Sequence, residues 1–208
     1  MNHPSRRGFT LLELIIVIAI LAILSVAVIL VINPAETLAR ARDSQRFSDL
    51  AAVKAAVGLY LTQVSPPDMD GTGACATNAW VATTTAITDV GGVCGAATAA
   101  VLEAGAAIDN TGWVPVALTA IPASIGAPLS NYPLDPNPLV TAAAVTETDR
   151  TYIYRCDGTN NTFEVNSSLE SALYRNGGTD DKEQADGGNN PNAYEIGTDP
   201  GLDLCTAW

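Results

Sequence analysis

The hydrophobic pattern of this 208-residue chain begins with one long apolar stretch near the amino terminus. From Leu14 to Ile32 every residue except Ser25 is apolar, and after Glu13 no charged residue occurs until Glu36. At ~1.5 Å per residue this stretch forms a helix of ~28 Å, close to the ~30 Å hydrocarbon core of a bilayer. A helix that is apolar on all sides lies in lipid or inside a large assembly. We therefore predict a membrane-spanning or filament-core helix over residues 9–33.

A second helical pattern follows Asn33 and Pro34. Proline lacks a backbone donor and crowds the preceding turn, so Pro34 predicts a helix break. Residues 34–65 then continue as an amphipathic helix, with an apolar stripe at steps of three or four. This stripe consists of Phe47, Leu50, Val53, Val57, Leu61 and Val64. Arg42, Arg46 and Asp49 lie largely off the stripe. Asp43 and Asp49 each lie three residues from Arg46, so we expect modest ion pairs between them on the helix surface, and Arg40–Asp49 is also a candidate for subunit contacts.

The remaining residues, 66–208, contain the signals of a folded head outside the membrane. Residues 68–107 predict a long loop region with a short helix at 96–107. The proline inside Gly112–Leu118 favours an edge strand. The alternating pattern in Thr151–Arg155 and Thr162–Asn166, with Asp157-Gly158 between them, predicts an antiparallel hairpin. The expected fold class is α+β, with a long helix packed on a small antiparallel sheet.

Charge is divided unevenly along the chain. The formal net charge is −12, yet six of the ten basic residues lie within the first 54 positions. Beyond Ser65 the chain has four basic residues against eighteen acidic ones. Phosphate binding needs a basic face, so we predict no nucleic-acid contact for this subunit. The head is expected to be an acidic soluble body on a neutral-to-basic stalk.

Four cysteines follow the apolar stretch: Cys75, Cys94, Cys156 and Cys205. They form no CxxC pair, and the one histidine is His3, which argues against structural zinc. In an oxidising exterior, an even number of cysteines predicts two disulfides with three possible connectivities. We favour Cys75–Cys94 with Cys156–Cys205, because each pair then stays within one subregion. In a reducing compartment the four cysteines would instead be small buried residues.

Two acidic segments are candidates for calcium binding. Asp68 opens a sequence like a calcium loop, but the twelfth position holds Ala79 where an EF-hand needs glutamate, so we predict a turn. A second group of carboxylates clusters in the acidic tail, at Asp180, Asp181, Glu183 and Asp186. No spacing template fits this group, so a solvated acidic loop is the favoured interpretation and structural calcium the alternative. No other cofactor is predicted.

The residues before the apolar stretch form a specific motif. The basic pair Arg6 and Arg7 precedes Gly8-Phe9-Thr10-Leu11-Leu12-Glu13, which leads directly into the long helix. Motif, position and context closely resemble the processing signal of type IV prepilins and type II secretion pseudopilins. The resemblance implies that a prepilin peptidase removes a leader, residues 1–8, by cutting between Gly8 and Phe9, and methylates the new amino group of Phe9. It also implies a pilin-like fold, and it adds weight to calcium in the tail.

The resemblance gives Glu13 a role, as the acid at the fifth position of the mature chain. A carboxylate in a spanning helix costs a few kcal/mol, so it normally has a partner or a function. Glu13 is expected to pair with the Phe9 amine of its own or the next subunit in a homo-oligomeric helical filament. The alternative is an acid that ends an ordinary signal anchor near the headgroups. This chain has Leu30 at the position where the family usually has a proline. The way in which the family's helix melts during assembly is therefore not expected to apply to this chain residue by residue.

The chain contains no recognisable catalytic constellation, and we predict a structural protein rather than an enzyme. Beyond the leader it has no histidine and no GxxxxGK[ST] loop, which excludes His-based triads and ATP-driven assembly by the chain itself. The resemblance implies a separate assembly ATPase and a platform membrane protein. Arg6 and Arg7 favour a cytoplasmic amino terminus, with the head outside the cytoplasmic membrane. Three roles stay open: a pilus subunit, a major pseudopilin of a type II secretion system, and a membrane-anchored binding domain that does not polymerise.

Overall fold

The computed structural model describes residues 8–83, 94, 99–103, 105–140 and 149–206. The chain forms two compact units, Met1–Leu38 and Ala39–Trp208. The first unit contains a long apolar helix. The second contains most of an amphipathic helix and a five-stranded sheet, so the fold is α+β and pilin-like, as the sequence predicts.

Helix α1 comprises Leu11–Ile32, and helix α2 begins two residues later at Pro34. Between them Asn33 adopts the left-handed conformation with φ 43°, and its side-chain oxygen accepts the backbone N–H of Glu36 at 3.4 Å. A proline at the first position of a helix loses no helical hydrogen bond, which places the interruption at Asn33. Among the described residues, the segment Leu11–Ile29 is long and apolar enough to cross a membrane.

Helix α2 comprises Pro34–Gln63 and packs its apolar stripe into the core of the second unit. Leu50, Val53 and Val57 are fully buried, as their spacing predicts. The buried face extends in both directions along the helix, to Tyr60 at one end and through Arg46 and Asp43 to Ala39 at the other. A buried arginine is absent from the sequence-based expectation, and its partners are described below.

The sheet has the strand order β2-β1-β3-β4-β5. Its strands are β1 Asn78–Val81, β2 Ala99–Leu102, β3 Tyr152–Asp157, β4 Thr162–Ser167 and β5 Tyr194–Gly197. β1 and β2 are parallel, whereas all other neighbours are antiparallel. The predicted hairpin is present as β3 and β4. The predicted helix at 96–107 is wrong where 99–102 forms β2, and residues 96–98 and 104 lie outside the described part.

The core of the second unit lies between α2 and the tyrosine-rich face of β3 and β4. The segment Gly112–Leu118 covers this core but is not the predicted edge strand. It is irregular and leads into a short 3₁₀ helix, Leu118–Ala120. Its Trp113 is fully buried and donates its ring N–H to the carbonyl oxygen of Pro133 at 2.8 Å. Burial of single side chains therefore fixes this segment, rather than a ladder of strand hydrogen bonds.

Two disulfides are present, as predicted, but the favoured connectivity is wrong. The bonds join Cys75 to Cys156 and Cys94 to Cys205, across 81 and 111 residues of sequence. The physical reason is the sheet order, because β1 pairs directly with β3 and brings the residues before β1 to the end of β3. The backbone N–H of Cys205 approaches the carboxylate of Glu164 on β4, at 3.3 Å, which fixes the tail against the sheet.

Candidate functional site

The N-terminal motif is organised by a capping box at the start of α1. The Oγ1 of Thr10 accepts the backbone N–H of Glu13 at 3.2 Å. In return, Oε2 of Glu13 accepts both the backbone N–H and the hydroxyl of Thr10, each at 2.9 Å. This reciprocal arrangement satisfies donors that a helix start leaves without partners. The motif acid therefore has a local structural role in the unassembled chain.

The Gly8–Phe9 peptide bond is accessible in this conformation. Both residues lie outside the helix and are exposed, with Phe9 at 89 % of its full exposure. A Cβ built on Gly8 meets no atom within 4 Å, and the residue is not in the left-handed region. Neither packing nor backbone conformation of this chain requires glycine at position 8.

The apolar surface of α1 is uncovered in the single chain. Its large apolar side chains from Leu11 to Ile29 are each at least half exposed. Exposed apolar area of this extent is not stable in water, where burial is worth about 25 cal/mol per Å². This helix requires lipid or other helices around it.

Residues 3–29 match the family model described as the prokaryotic N-terminal methylation motif. The chain carries a prepilin-type signal. This signal is the one shared by type IV pilins and pseudopilins, and it marks the chain as a prepilin-peptidase substrate anchored in a membrane. No curated protein and no solved structure matches the chain.

In the second compact unit, Arg46 of α2 is the centre of a buried ionic cluster. Its guanidinium donates two hydrogen bonds to Asp135, at 2.7 and 2.8 Å, one to Asp43 at 2.8 Å and one to Glu170 at 2.6 Å. Arg46, Asp43 and the side chain of Asp135 are fully buried. Burial lowers the pKa of Arg46, but its carboxylate partners outweigh this and raise it above the ordinary value, so the guanidinium stays charged.

The cluster attaches α2 to two distant segments of the head. Asp43 accepts the backbone N–H groups of Glu170 and Ser171, at 2.9 and 2.8 Å, in addition to its bond from Arg46. Burial raises the pKa of Glu170, but hydrogen bonds from Arg42 and Arg46 outweigh it and lower the pKa to about 2. The expected pair between Asp43 and Arg46 is therefore present, but it is buried within the chain rather than on the helix surface.

Asp49 also turns inward, where it accepts the hydroxyl of Tyr152 at 2.9 Å. The sequence did contain a signal for the burial of Arg46. Arg46 lies four residues before Leu50 and seven before Val53, so it continues the apolar stripe by helical spacing. The residue type, rather than its position, led to the surface expectation.

The four acidic residues of the tail act within the loop that carries them. Glu183 is buried and accepts the backbone N–H groups of Leu169 and Asn176, at 2.9 and 2.7 Å, and burial raises its pKa to about 7. Asp181 and Asp186 each accept two backbone N–H groups, and Asp180 pairs with Lys182. Among the described residues, no three His, Cys, Asp or Glu side chains form a group that would hold a metal ion. Calcium binding stays a prediction.

Two further acids form a buried pair that the sequence did not indicate. Glu195 on β5 pairs with Asn166 on β4, and Glu164 lies two residues before Asn166 in the same strand. The side chains of Glu164 and Glu195 therefore lie on the same face of the sheet. Glu164 accepts the backbone N–H of Leu204 and Glu195 that of Asn190, both at 2.9 Å. Burial, followed by the charge of Glu164, raises the pKa of Glu195 to about 9. Burial also raises the pKa of Glu164, so the environment of this pair favours the protonated form of the carboxyl groups.

Proposed function

We propose that this chain is the structural subunit of a type IV pilus-like filament. It is made as a prepilin, cleaved after Gly8, methylated on Phe9 and polymerised through α1. The observation that carries the proposal is the prepilin-type signal at the capped start of an uncovered apolar helix. During assembly α1 leaves lipid for the apolar core of the filament, an exchange that keeps its side chains out of water.

Glu13 has two separable roles in this proposal. Its oxygen atoms cap the helix of its own chain, which requires an acceptor but no charge. Its negative charge pairs with the Phe9 amine that cleavage creates, which requires the carboxylate. A subunit one step out of register leaves both charges without partners in a medium of low dielectric, so the pair specifies the register of the filament.

Three variants of the full chain separate these roles. Glu13→Gln keeps an acceptor for Thr10 but removes the charge. Thr10→Val keeps the charge but removes the cap hydroxyl. Glu13→Ala removes both the acceptor for Thr10 and the charge. We expect all three to be anchored and cleaved, as measured by mass spectrometry of the amino terminus. Thr10→Val loses about 0.5–2 kcal/mol of helix stability and still polymerises. Glu13→Gln and Glu13→Ala fail to form filaments.

The result that contradicts the proposal is equally specific. Normal filaments of Glu13→Gln would show that the charge has no role in assembly. An exported product that begins at Met1 would exclude prepilin processing, and one that begins at an unmethylated Phe9 would exclude the methylation step. Monomeric protein in every preparation, with anchoring intact, would favour the non-polymerising binding domain.

A major pseudopilin of a type II secretion system is the second candidate. The hairpin β3–β4 followed by an acidic tail is the order of elements that favours it. Electron microscopy of material sheared from the cell surface distinguishes the two, since a pilus subunit gives long filaments there and a pseudopilin gives a short periplasmic fibre. In either case the partners are a prepilin peptidase, an assembly ATPase and a platform membrane protein, with the head outside the cytoplasmic membrane.

A further inference from the structure

The two disulfides of the head have different surroundings. Cys94 and Cys205 are fully buried and lie in a small apolar cluster with Val81. Cys75 and Cys156 are 5 % and 2 % exposed, and both line a surface cavity of about 350 Å³. The Cys75–Cys156 bond therefore adjoins a space in which a small molecule can approach sulfur, whereas both sulfur-bearing residues of Cys94–Cys205 are fully buried.

Gly158 keeps this cavity open. A Cβ placed on Gly158 would lie 3.8 Å from Sγ of Cys75, so the further atoms of a larger side chain would extend over the sulfur. The backbone of Gly158 is not in the left-handed region, which means that its conformation does not demand glycine. The absence of a side chain at Gly158 therefore leaves open the space beside the disulfide.

The cavity wall carries one basic and two acidic side chains. Arg155 is 95 % buried, donates to the carbonyl oxygen of Cys94 at 2.7 Å, and has no partner for its Nε. Asp70 accepts the backbone N–H of Cys75 at 3.0 Å, and Asp157 accepts that of Thr159. The guanidinium of Arg155 points to the opposite face of β3 from Cys156, towards Cys94, so it takes no part in chemistry at the Cys75–Cys156 bond. The two carboxylates give the wall a net negative charge, which disfavours an anionic attacking reagent.

We propose that Cys75–Cys156 is a thiol–disulfide exchange site and that its cavity admits a small dithiol that carries no anionic group besides its reacting thiolate. One thiolate of the dithiol forms a bond to a cysteine sulfur, the Cys75–Cys156 bond breaks, and the second cysteine leaves as a thiolate that takes a proton from water. The other thiolate of the reagent then attacks the mixed disulfide. The dithiol ends as a disulfide and the protein as two thiols, with two electrons transferred. Cys94–Cys205 stays intact.

The test follows reduction of the full chain in detergent micelles by dithiothreitol, with alkylation at timed intervals and peptide mass mapping of each cysteine. We expect Cys75 and Cys156 to become alkylated at least about tenfold faster than Cys94 and Cys205. Gly158→Val should slow the first pair by about tenfold or more, because the side chain fills the entrance. The matched control Gly58→Val, at a helix position with no atom within 4 Å of its Cβ, should leave both rates unchanged.

Charge selectivity provides a second readout. Corrected for thiolate content, we expect the rate to fall in the order cysteamine, 2-mercaptoethanol, 2-mercaptoethanesulfonate, with differences that shrink at high salt. Asp70→Asn retains an acceptor for the Cys75 N–H but removes one negative charge, so it should reduce the differences in rate among the three thiols.

Three outcomes would overturn the proposal. The first is equal reduction of both disulfides. The second is a rate for Cys75–Cys156 that rises steeply with low concentrations of urea, since this would mean attack only after unfolding. The third is an unchanged rate in Gly158→Val while Cys94–Cys205 remains protected, because protection shows that the variant is folded.

Discussion

Replacement of Arg46 by methionine is expected to destabilise the head more than any other single change to a charged side chain in α2. The substitution keeps a long side chain in the same space but removes four charge-assisted hydrogen bonds, to Asp43, Asp135 and Glu170. The loss is not shared equally among these partners. Its size therefore depends on which carboxylate is left without compensation.

Asp135 is the group most affected. Asp43 still accepts two backbone N–H groups, and Glu170 still binds Arg42 at 2.6 Å. Asp135 loses both bonds to the guanidinium and, among the described residues, keeps the backbone N–H of Asn137 at 2.8 Å, while it is 95 % buried. Removing one partner of a buried pair costs about 3–5 kcal/mol, a large part of the ~5–15 kcal/mol that stabilises a typical domain.

Urea unfolding of the full chain in detergent, followed by tryptophan fluorescence, measures this loss. Residues 1–79 contain no tryptophan, so buried Trp80 and Trp113 report on the head. Arg42→Ala is the control, since its side chain is 30 % exposed and its pair with Glu170 is worth about 1 kcal/mol or less. Adding Asp135→Asn to Arg46→Met should recover part of the loss. A loss below about 1 kcal/mol for Arg46→Met, or equal losses for both arginine variants, would refute this reasoning.

Three further predictions concern single residues, each measured by the same unfolding assay. The pKa of Glu195 is raised in the folded head, so the folded state holds a proton that the unfolded state releases. The free energy of unfolding should therefore fall as pH rises from 4.5 towards 9, and Glu195→Gln should reduce this dependence. The lowered pKa of Glu170 acts oppositely: its contribution is complete above pH 4.5 and is lost as pH falls through about 2, a slope that Glu170→Gln should reduce. Gly112→Ala places a Cβ 2.2 Å from the carbonyl oxygen of Ala107 and should cost about 1–3 kcal/mol, whereas Gly58→Ala should be neutral or stabilising.

The local features of the chain were predictable because their causes lie within a few residues. The apolar stretch, the helix stripe around Leu50 and Val53, and the hairpin of β3 and β4 follow from periodicity and turn residues. The strands β1 and β5 were missed because each is four residues long and gains its stability from neighbours that are distant in sequence. The helix expected at 96–107 failed for the same reason, since Ala99–Leu102 pairs with β1.

The candidate sites differ in the same way, since some depend on a short segment and others on contacts between distant residues. The processing motif around Gly8 and Phe9 was readable because a peptidase recognises a short segment and no packing in this chain constrains it. Disulfide connectivity was not readable, because the adjacency of β1 and β3 decides it and sequence distance does not. The inward position of Arg46 required the knowledge that Asp135 and Glu170 meet at α2.

The sequence by itself determined that this protein has a prepilin-type start, one helix suited to lipid, and an acidic head with two disulfides. Each of these depends on composition or on spacing along a single segment. Only the tertiary structure decided which cysteines pair, which charges are buried, and which disulfide adjoins a cavity. The disulfides join residues 81 and 111 positions apart, and Arg46 meets Asp135 and Glu170 from distant segments, so only the folded chain brings these groups together.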